Sequence, residues 1–433
     1  AQSPRIAGSG PLLDYAVRMQ RFPQEALAKQ LLARGELTPQ LIVDFAGYLA
    51  QFHRDLPPLH REAPYGTPEV VLHNAIQNFE QIAPMLTDAG DRQALEVLRS
   101  WTEREFIAQR SAIQERHASG IIRECHGDLH LGNIVLLNGK LVPFDCIEFS
   151  PELRWNDVMS EVAFLMMDLI DRGAPRLAWL ALSTYLEVTG DYGSLSVLPF
   201  YLVYRALVRA KLDLIRARQS GSAAETSRLV RIFHDYVALA ERCAHRDEPQ
   251  LLLMHGFSAS GKSTLALELV QGLGAIRVRS DVERKRLHGM PALASSASAL
   301  GNGLYGQDAT HATYAQLADA ARAIIQAGFT AIVDAAFLRH PQRAQLREVA
   351  EELQVPIAMI DVQVPPAVLR ARIVARAARA TDPSEATLDV LEHQIATAEP
   401  VMPSEGLPVI VVDGCDVFTP EAVTAVSRRE RVR

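Results

Sequence analysis

The sequence predicts two domains: a mainly helical one over residues 1–246 and an α/β one with a parallel sheet over residues 247–433. Three observations lead there. Apolar spacing through most of the first half follows the helical period. From residue 250 onward, short apolar runs alternate with amphipathic ones, the pattern of strands laid parallel through helical crossovers. Between the halves lies His245–Pro249, HRDEP, polar and ending in proline, as a boundary should be. A chain of 433 residues is also too long for one core.

Composition narrows the function classes. A formal net charge of −7 argues against a nucleic-acid partner, which needs a basic face. Cys125, Cys146, Cys243 and Cys415 are scattered without a CxxC pair, so they read as reduced thiols in a cytoplasm and not as a zinc site or disulfide framework. There is no apolar run of about 18 residues and no signal peptide, so no membrane role is expected. The chain begins with Ala1 and not methionine, as a fragment or processed chain does.

Residues 1–10 are small and polar, a linker-like start. Tyr15–Phe22 alternates as a strand does, with Tyr15, Val17 and Met19 on one face. Thr38-Pro39 opens a helix as N-cap and first residue, with Leu41, Ile42, Phe45, Leu49 and Phe52 as its buried stripe. Further helices are expected over Pro68–Ile82 and Asp91–His117. His53, His60, His73 and His117 lack ligand-like spacing and read as surface or packing residues.

The pattern then changes. Ile121–Cys125 leads into His126-Gly-Asp128-Leu-His130-Leu-Gly-Asn133. Ile134–Leu137 and Leu141–Phe144 flank Asn138-Gly139, the strongest short hairpin signal. The hairpin carries Asn133 at its start and Asp145 at its end, beside the loop with Asp128. An amide oxygen and two carboxylates so gathered are what a Mg²⁺–ATP phosphotransfer site requires. His126 reads as a support for the loop.

HGDLHLGN and the following Phe144–Phe149, FDCIEF, resemble the catalytic and metal-binding loops of aminoglycoside phosphotransferase-like kinases, relatives of the protein kinases. Trp155–Leu169 resembles the helix that follows in that family, and the resemblance covers roughly residues 12–245. It implies that Asp128 accepts the substrate hydroxyl proton and that Asn133 and Asp145 hold Mg²⁺. The family carries an N-terminal lobe with a phosphate-covering loop and a strand-borne lysine. Only 14 residues precede Tyr15, without that pattern, so the lobe is expected to be incomplete here. The alternative is a kinase-like scaffold without catalysis.

Leu177–Val188, Leu195–Arg218 and Thr226–Ala244 are expected helices. Arg205, Arg209, Lys211, Arg216 and Arg218 give one of them a basic side, by default a solvated face.

Next comes the stretch that fixes the second domain, Leu251–Leu265, LLLMHGFSASGKSTL. An apolar run leads into Gly256-x-x-x-x-Gly261-Lys262-Ser263 and then a helix, a phosphate-binding P-loop. The backbone N–H groups of the loop, from Gly256 through Ser258, Ala259, Ser260 and Gly261 to Thr264, can face one anion at a helix N-terminus. Lys262 can reach the β- and γ-phosphates, and Ser263 can ligate Mg²⁺. ATP or GTP binding follows; the bland alternative is a glycine loop that only caps a helix.

Ile276–Arg279 is an expected strand. Ser280 with Glu283 three residues on reads as a capping box. Asp281 and Arg284 share a helical face at the sheet's carboxyl edge, where Asp281 suits a catalytic base and Arg284 a substrate ligand. The alternative is an acid that merely complements the helix dipole. Residues 291–303 read as a flexible loop. Thr313–Gln326 is helical and closes on Gly328. Thr330–Val333 is a buried strand ending in Asp334, placed to hold Mg²⁺ through water. Val355–Val362 is another strand. Arg370, Arg372, Arg376 and Arg379 then line a helix interrupted at Thr381–Ala386, and Leu407–Val412 is a last strand. Arginines in a helix that breaks and resumes fit a mobile lid that neutralises a transferring phosphoryl group, the alternative being a charged solvent face.

The GFSASGKST, RSDVERK and IVDAAF segments resemble the P-loop kinase group of gluconate kinase, polynucleotide kinase and zeta toxin. Together the halves resemble a bacterial fusion of an aminoglycoside phosphotransferase-like domain with a predicted P-loop kinase. The resemblance implies an ATP- and Mg²⁺-dependent kinase acting on a hydroxyl of a small molecule, chiefly in its second domain. A competing reading makes the first domain a non-catalytic ligand- or partner-binding regulator.

Overall fold

Threonine, aspartate and proline start the helices of the first half. The computed structural model describes residues 21–60, 62–246, 248–292, 294, 306–377 and 386–415. After α1 (Ala28–Ala33) come α2 (Pro39–Asp55), α3 (Pro68–Ile82) and α4 (Ala89–Ala118). Thr38 Oγ1 accepts the Leu41 N–H at 3.3 Å, Thr67 Oγ1 that of Val70 at 3.3 Å, and Asp88 Oδ1 that of Asp91 at 3.1 Å. Pro39 and Pro68 each follow their cap, where a missing N–H costs nothing. On α2, Ile42, Phe45 and Leu49 are buried as expected, whereas Phe52 is exposed, because the stripe drifts off the core face in the last turn.

β1 (Ile122–Glu124), β2 (Ile134–Leu137) and β3 (Lys140–Pro143) follow. β2 and β3 form the predicted hairpin, with Asn138 and Gly139 at φ 50° and 76°, the left-handed pair this turn needs. α5 (Pro151–Arg154) is one turn. Trp155–Asp157 is β4, antiparallel to β1, so the expected helix begins only at α6 (Val158–Asp171), where Asp157 caps Met159 N–H at 2.9 Å. α6 is buried from Val158 through Leu169, with Glu161 and Asp168 inside it. α7 (Pro175–Thr189), α8 (Leu198–Gln219) and α9 (Ala223–Ala244) complete the half. The basic side of α8 is not a plain solvated face. Arg205 is buried, donating to Gly127 O at 3.1 Å and to Ser160 O and Oγ at 3.2 Å.

The second half runs β5 (Leu251–His255), α10 (Lys262–Leu273), β6 (Ile276–Arg279), α11 (Ser280–Leu287), α12 (Gln307–Gln326), β7 (Ala331–Asp334), α13 (His340–Leu353), β8 (Ile357–Gln363), α14 (Pro366–Ala377), α15 (Leu388–Thr397) and β9 (Val409–Asp413). The five strands are parallel in the order β6-β7-β5-β8-β9. Central β5 is apolar and buried from Leu251 to Met254, as a strand covered on both faces must be. Ser280 does not cap α11: the helix begins after Arg279 with no side-chain cap, and Glu283 instead meets Tyr192 and Arg286.

The covalent link between the halves passes through residues 245–250, yet their cores are continuous. Residues of α6 to α9 pack in one apolar cluster with Leu251, Leu253, Ile276, Val278 and Val333. The four cysteines are free thiols. Among the described residues no helix is long and apolar enough to cross a membrane. The expected strand at Tyr15–Phe22, apart from its last two residues, lies outside the described residues, as do most of 291–303, Arg379, nearly all of Thr381–Ala386 and the side chain of Arg376.

Candidate functional site

The phosphate loop is built by strand, glycine and helix in turn. β5 ends at His255, whose Nδ1 lies 2.6 Å from Asp361 Oδ1 on neighbouring β8. Gly256 then takes φ 136°, and a Cβ there would sit 2.7 Å from Val362 O, so only glycine fits. Ala259 at φ 66° and Gly261 at φ 98° complete the turn into α10. Lys262 Nζ donates to Phe257 O at 3.2 Å, folding the side chain back over its own loop. Arg372 of α14 donates to the carbonyls of Ala259 and Ser260 at 3.3 Å each and to Gly414 O at 2.9 Å. A trans peptide points its C=O and N–H opposite ways, so the Ser260 carbonyl turned to Arg372 directs the Gly261 N–H away from that cation. Ser258 N donates to Gln394 Oε1 on α15 at 2.9 Å. The helix expected to act as a lid thus braces the loop through Arg372.

Asp334 closes β7. Register places it opposite Met254 on β5 and Arg279 on β6, at the carboxyl edge from which the phosphate loop departs. It is 4% exposed, and its Oδ2 has no hydrogen-bond partner among the described residues. Arg279 Nε stands 3.8 Å from that oxygen, near enough for charge but not for a hydrogen bond, so the carboxylate keeps the chemistry of a divalent-metal ligand, as does the hydroxyl of Ser263 in the first turn of α10. Ser260 Oγ is also buried without a hydrogen-bond partner among the described residues. Asp281 and Arg284 in the first turns of α11 lie 3.6 Å apart, charge to charge. Thr264 is exposed.

The second constellation lies in the helical half. Asn133 Nδ2 donates to Asp128 Oδ2 at 2.9 Å and to Asp128 O at 3.0 Å, leaving its Oδ1 as the atom for a cation. Burial raises the Asp128 carboxyl, but a hydrogen bond from His130 and the charges of Arg209 and Arg205 outweigh it, holding the group below the ordinary carboxylate range. Phe144 N donates to Asn133 O at 3.0 Å, so Asp145, exposed and at φ 62°, follows directly on the strand end beside Asn133. His126 supports the loop as expected, its Nε2 2.8 Å from Phe144 O.

Residues 251–401 match the sequence family described as an AAA domain. The chain is 28% identical over 377 residues to uncharacterized proteins of Mycobacterium tuberculosis H37Rv and Mycobacterium bovis, covering 86% of itself and 74% of each. Among solved structures it is similar to a sugar kinase from Janibacter sp. (20% identity, TM-score 0.30, covering 42% of this chain and 93% of that one). It is also similar to a gluconokinase from Sinorhizobium meliloti (20%, TM-score 0.31, 43% and 97%) and to an amicoumacin kinase in complex with AMP-PNP, Ca²⁺ and Ami (14%, TM-score 0.32, 47% and 60%).

The sequence reading missed the groups that hold these loops. Glu161 Oε2 accepts Gly127 N at 2.8 Å, and Asp168 Oδ2, two turns on, accepts Leu131 N at 2.8 Å. Glu161 and Asp168, seven apart on one face of a mostly apolar helix, were the available signal. Glu161 also takes His53 Nε2 at 3.1 Å, and His53 Nδ1 meets Tyr185 Oη at 2.9 Å. With Cys125 these groups could cluster around a metal, but both His53 nitrogens are already engaged. Glu187 and Gln394 carried no sequence signal, since each reaches a partner about a hundred residues or more away.

Proposed function

We propose that the chain is an ATP-dependent phosphotransferase acting on a hydroxyl of a small molecule, with its chemistry in residues 247–433. The observation that carries this reading is the buried Asp334, its Oδ2 without a hydrogen-bond donor among the described residues, at the strand edge from which the loop ending in Lys262 and Ser263 departs. The N–H groups at the turn into α10, from Gly261 to Ser263, hold the phosphates, Ser258 N being taken by Gln394, and Lys262 turns from Phe257 O to the β- and γ-phosphates. Asp281 accepts the proton of the acceptor hydroxyl and Arg284 binds the acceptor. Arg372 fixes the loop's peptide planes, and Arg376 of the same arginine-rich segment is assigned to the phosphates as a second cation. A magnesium ion held by Ser263 and Asp334 would neutralise charge on the phosphate oxygens.

The test is an ATP-dependent mass gain of one phosphate on a component of a metabolite extract, with the whole chain as catalyst. Wild type should give the product and Lys262→Ala should not. Phosphate release without a phosphorylated product would make the chain an NTPase instead.

A second reading, with the helical half as a ligand-binding regulator, has its own support. A cavity of about 950 Å³ between α6, α8 and α9 is bordered by Asp171, Arg209, Asp213, Arg228, Tyr236 and Arg242. Arg209 Nη1 lies 3.5 Å from His130 Nε2, which lies 3.4 Å from Asp128 Oδ2. A ligand there would reach the Asp128 loop through Arg209 and then His130.

A further inference from the structure

The last turn of α7, in the helical half, reaches the back of the proposed metal pair. Glu187 Oε2 accepts Arg277 Nη2 at 2.8 Å, and its Oε1 accepts Arg279 Nη1 at 3.0 Å. The two arginines are two apart on β6 and so share a face. Each goes on to one member of the pair. Arg277 Nη1 donates to Ser263 O at 3.2 Å, and Arg279 Nε stands 3.8 Å from Asp334 Oδ2. All three side chains are largely buried, at 16%, 9% and 12% exposure for Glu187, Arg277 and Arg279. Burial raises the Glu187 carboxyl, but the charges and hydrogen bonds of both arginines outweigh it and hold it below the ordinary range. The same turn takes Arg286, whose Nη2 donates to Glu187 O at 2.6 Å, so α11 is tied in as well.

The consequence for charge is specific. Among the described residues Asp334 Oδ2 has no hydrogen-bond donor, and 3.8 Å is beyond hydrogen-bond reach. In a buried setting a guanidinium moved onto that oxygen would cancel the charge a divalent cation needs. Glu187 is placed to prevent this, because it engages Arg279 from the other side.

We propose that Glu187 is a positioning residue through which the helical half sets the metal affinity of Ser263 and Asp334, by holding Arg279 off Asp334 and Arg277 on the Ser263 carbonyl. This rests on the reading of Ser263 and Asp334 as the metal pair of a nucleotide site.

The experiment is titration of the whole chain with a fluorescent ATP analogue, with Mg²⁺ varied and with EDTA. Glu187→Gln keeps the size and loses the charge. It should weaken the Mg²⁺ dependence of nucleotide binding roughly tenfold, within the usual range of coupling between sites, while binding in EDTA stays as in wild type. Adding Arg279→Gln removes the competing cation and should restore the Mg²⁺ dependence to within about twofold. Glu187→Asp, which keeps the charge, should stay within about threefold of wild type. Arg176→Ala breaks another ion pair between the same helix α7 and α10, Arg176 to Glu268 at 2.6 Å, and should leave the Mg²⁺ dependence unchanged. The inference is overturned if Glu187→Gln matches wild type, or if Arg176→Ala produces the same loss, since loosened packing would then explain both. If wild type binds no nucleotide, the proposed function falls and this inference falls with it. If wild type binds nucleotide with Mg²⁺ and only the Glu187 result fails, the proposed function stands.

Discussion

Glu161, buried in the first turn of α6, accepts the backbone N–H of Gly127 at 2.8 Å, one residue before Asp128. Its other oxygen holds His53, so one carboxylate joins α2, α6 and the loop. Burial raises the Glu161 carboxyl, and hydrogen bonding from His53 more than offsets it, leaving the group below its ordinary range. Glu161→Ala strands the Gly127 N–H and the His53 ring inside the core. A loss of roughly 2–4 kcal/mol is expected, the cost of leaving buried donors unpaired. The check is urea unfolding followed by circular dichroism, and an unchanged midpoint would refute the strap.

Asp281→Asn separates a catalytic base from a helix-end acid. As a base, Asp281 is worth roughly 10²–10⁴ in turnover, and nucleotide binding should survive its loss. As a helix-end charge it is worth roughly 0.3–1 kcal/mol of stability and nothing in rate. Product formation and melting temperature measured on one preparation decide between them. Wild-type turnover with a lower melting temperature favours the helix-end role.

Local signals made much of this legible. Thr38-Pro39, Asn138-Gly139 and Gly256 through Ser263 each announce their structure within a few residues, because caps, left-handed turns and phosphate loops are set by nearest neighbours. Ser280 announced a cap falsely, because burial of Glu283 against Tyr192 outweighed its return to the helix start. Burial of Arg205 was hidden for the same reason: its partners, Gly127 and Ser160, lie 78 and 45 residues away. The node at Glu187 depends wholly on how the halves pack, and no spacing within either half encodes it.

Arg343 and Glu405 form a buried two-point pair at 2.7 Å for each bond, and Arg343 also serves the carbonyls of Phe337, Glu399 and Pro400. Hydrogen bonds from Arg343 pull the Glu405 carboxyl from 4.5 to about 2 against its desolvation. A carboxyl whose folded value lies below its unfolded one adds stability that is complete above the unfolded value and lost as pH falls through the folded one. The melting temperature should therefore drop as pH goes from about 5 toward about 2. Glu405→Gln should melt lower than wild type at pH 7, with the gap closing on acidification. A constant gap across that range would show that the pair's charge does not contribute.

Which half performs the transfer is decided by a pair of substitutions on the same chain. Asp128 is a charged, partly buried carboxylate that already receives Asn133 Nδ2 and faces His130. Of the two arginines whose charge reaches it, Arg205 is engaged by Gly127 O and Ser160, and Arg209 stands 3.5 Å from His130 Nε2. The phosphate loop instead offers backbone N–H groups at a helix N-terminus, together with Lys262. Phosphoryl transfer draws nearly all its acceleration from such positioning and charge, so the half with the fuller clamp should carry it. Lys262→Ala is expected to abolish ATP-dependent product formation, a loss of at least about 10² in rate. Asp128→Ala should keep activity within about threefold of wild type, since no step in the P-loop site passes through it. The reverse outcome, with Asp128→Ala inactive and Lys262→Ala active, would move the chemistry to the loop that Glu161 and Asp168 hold in place, and would make the P-loop the regulatory site.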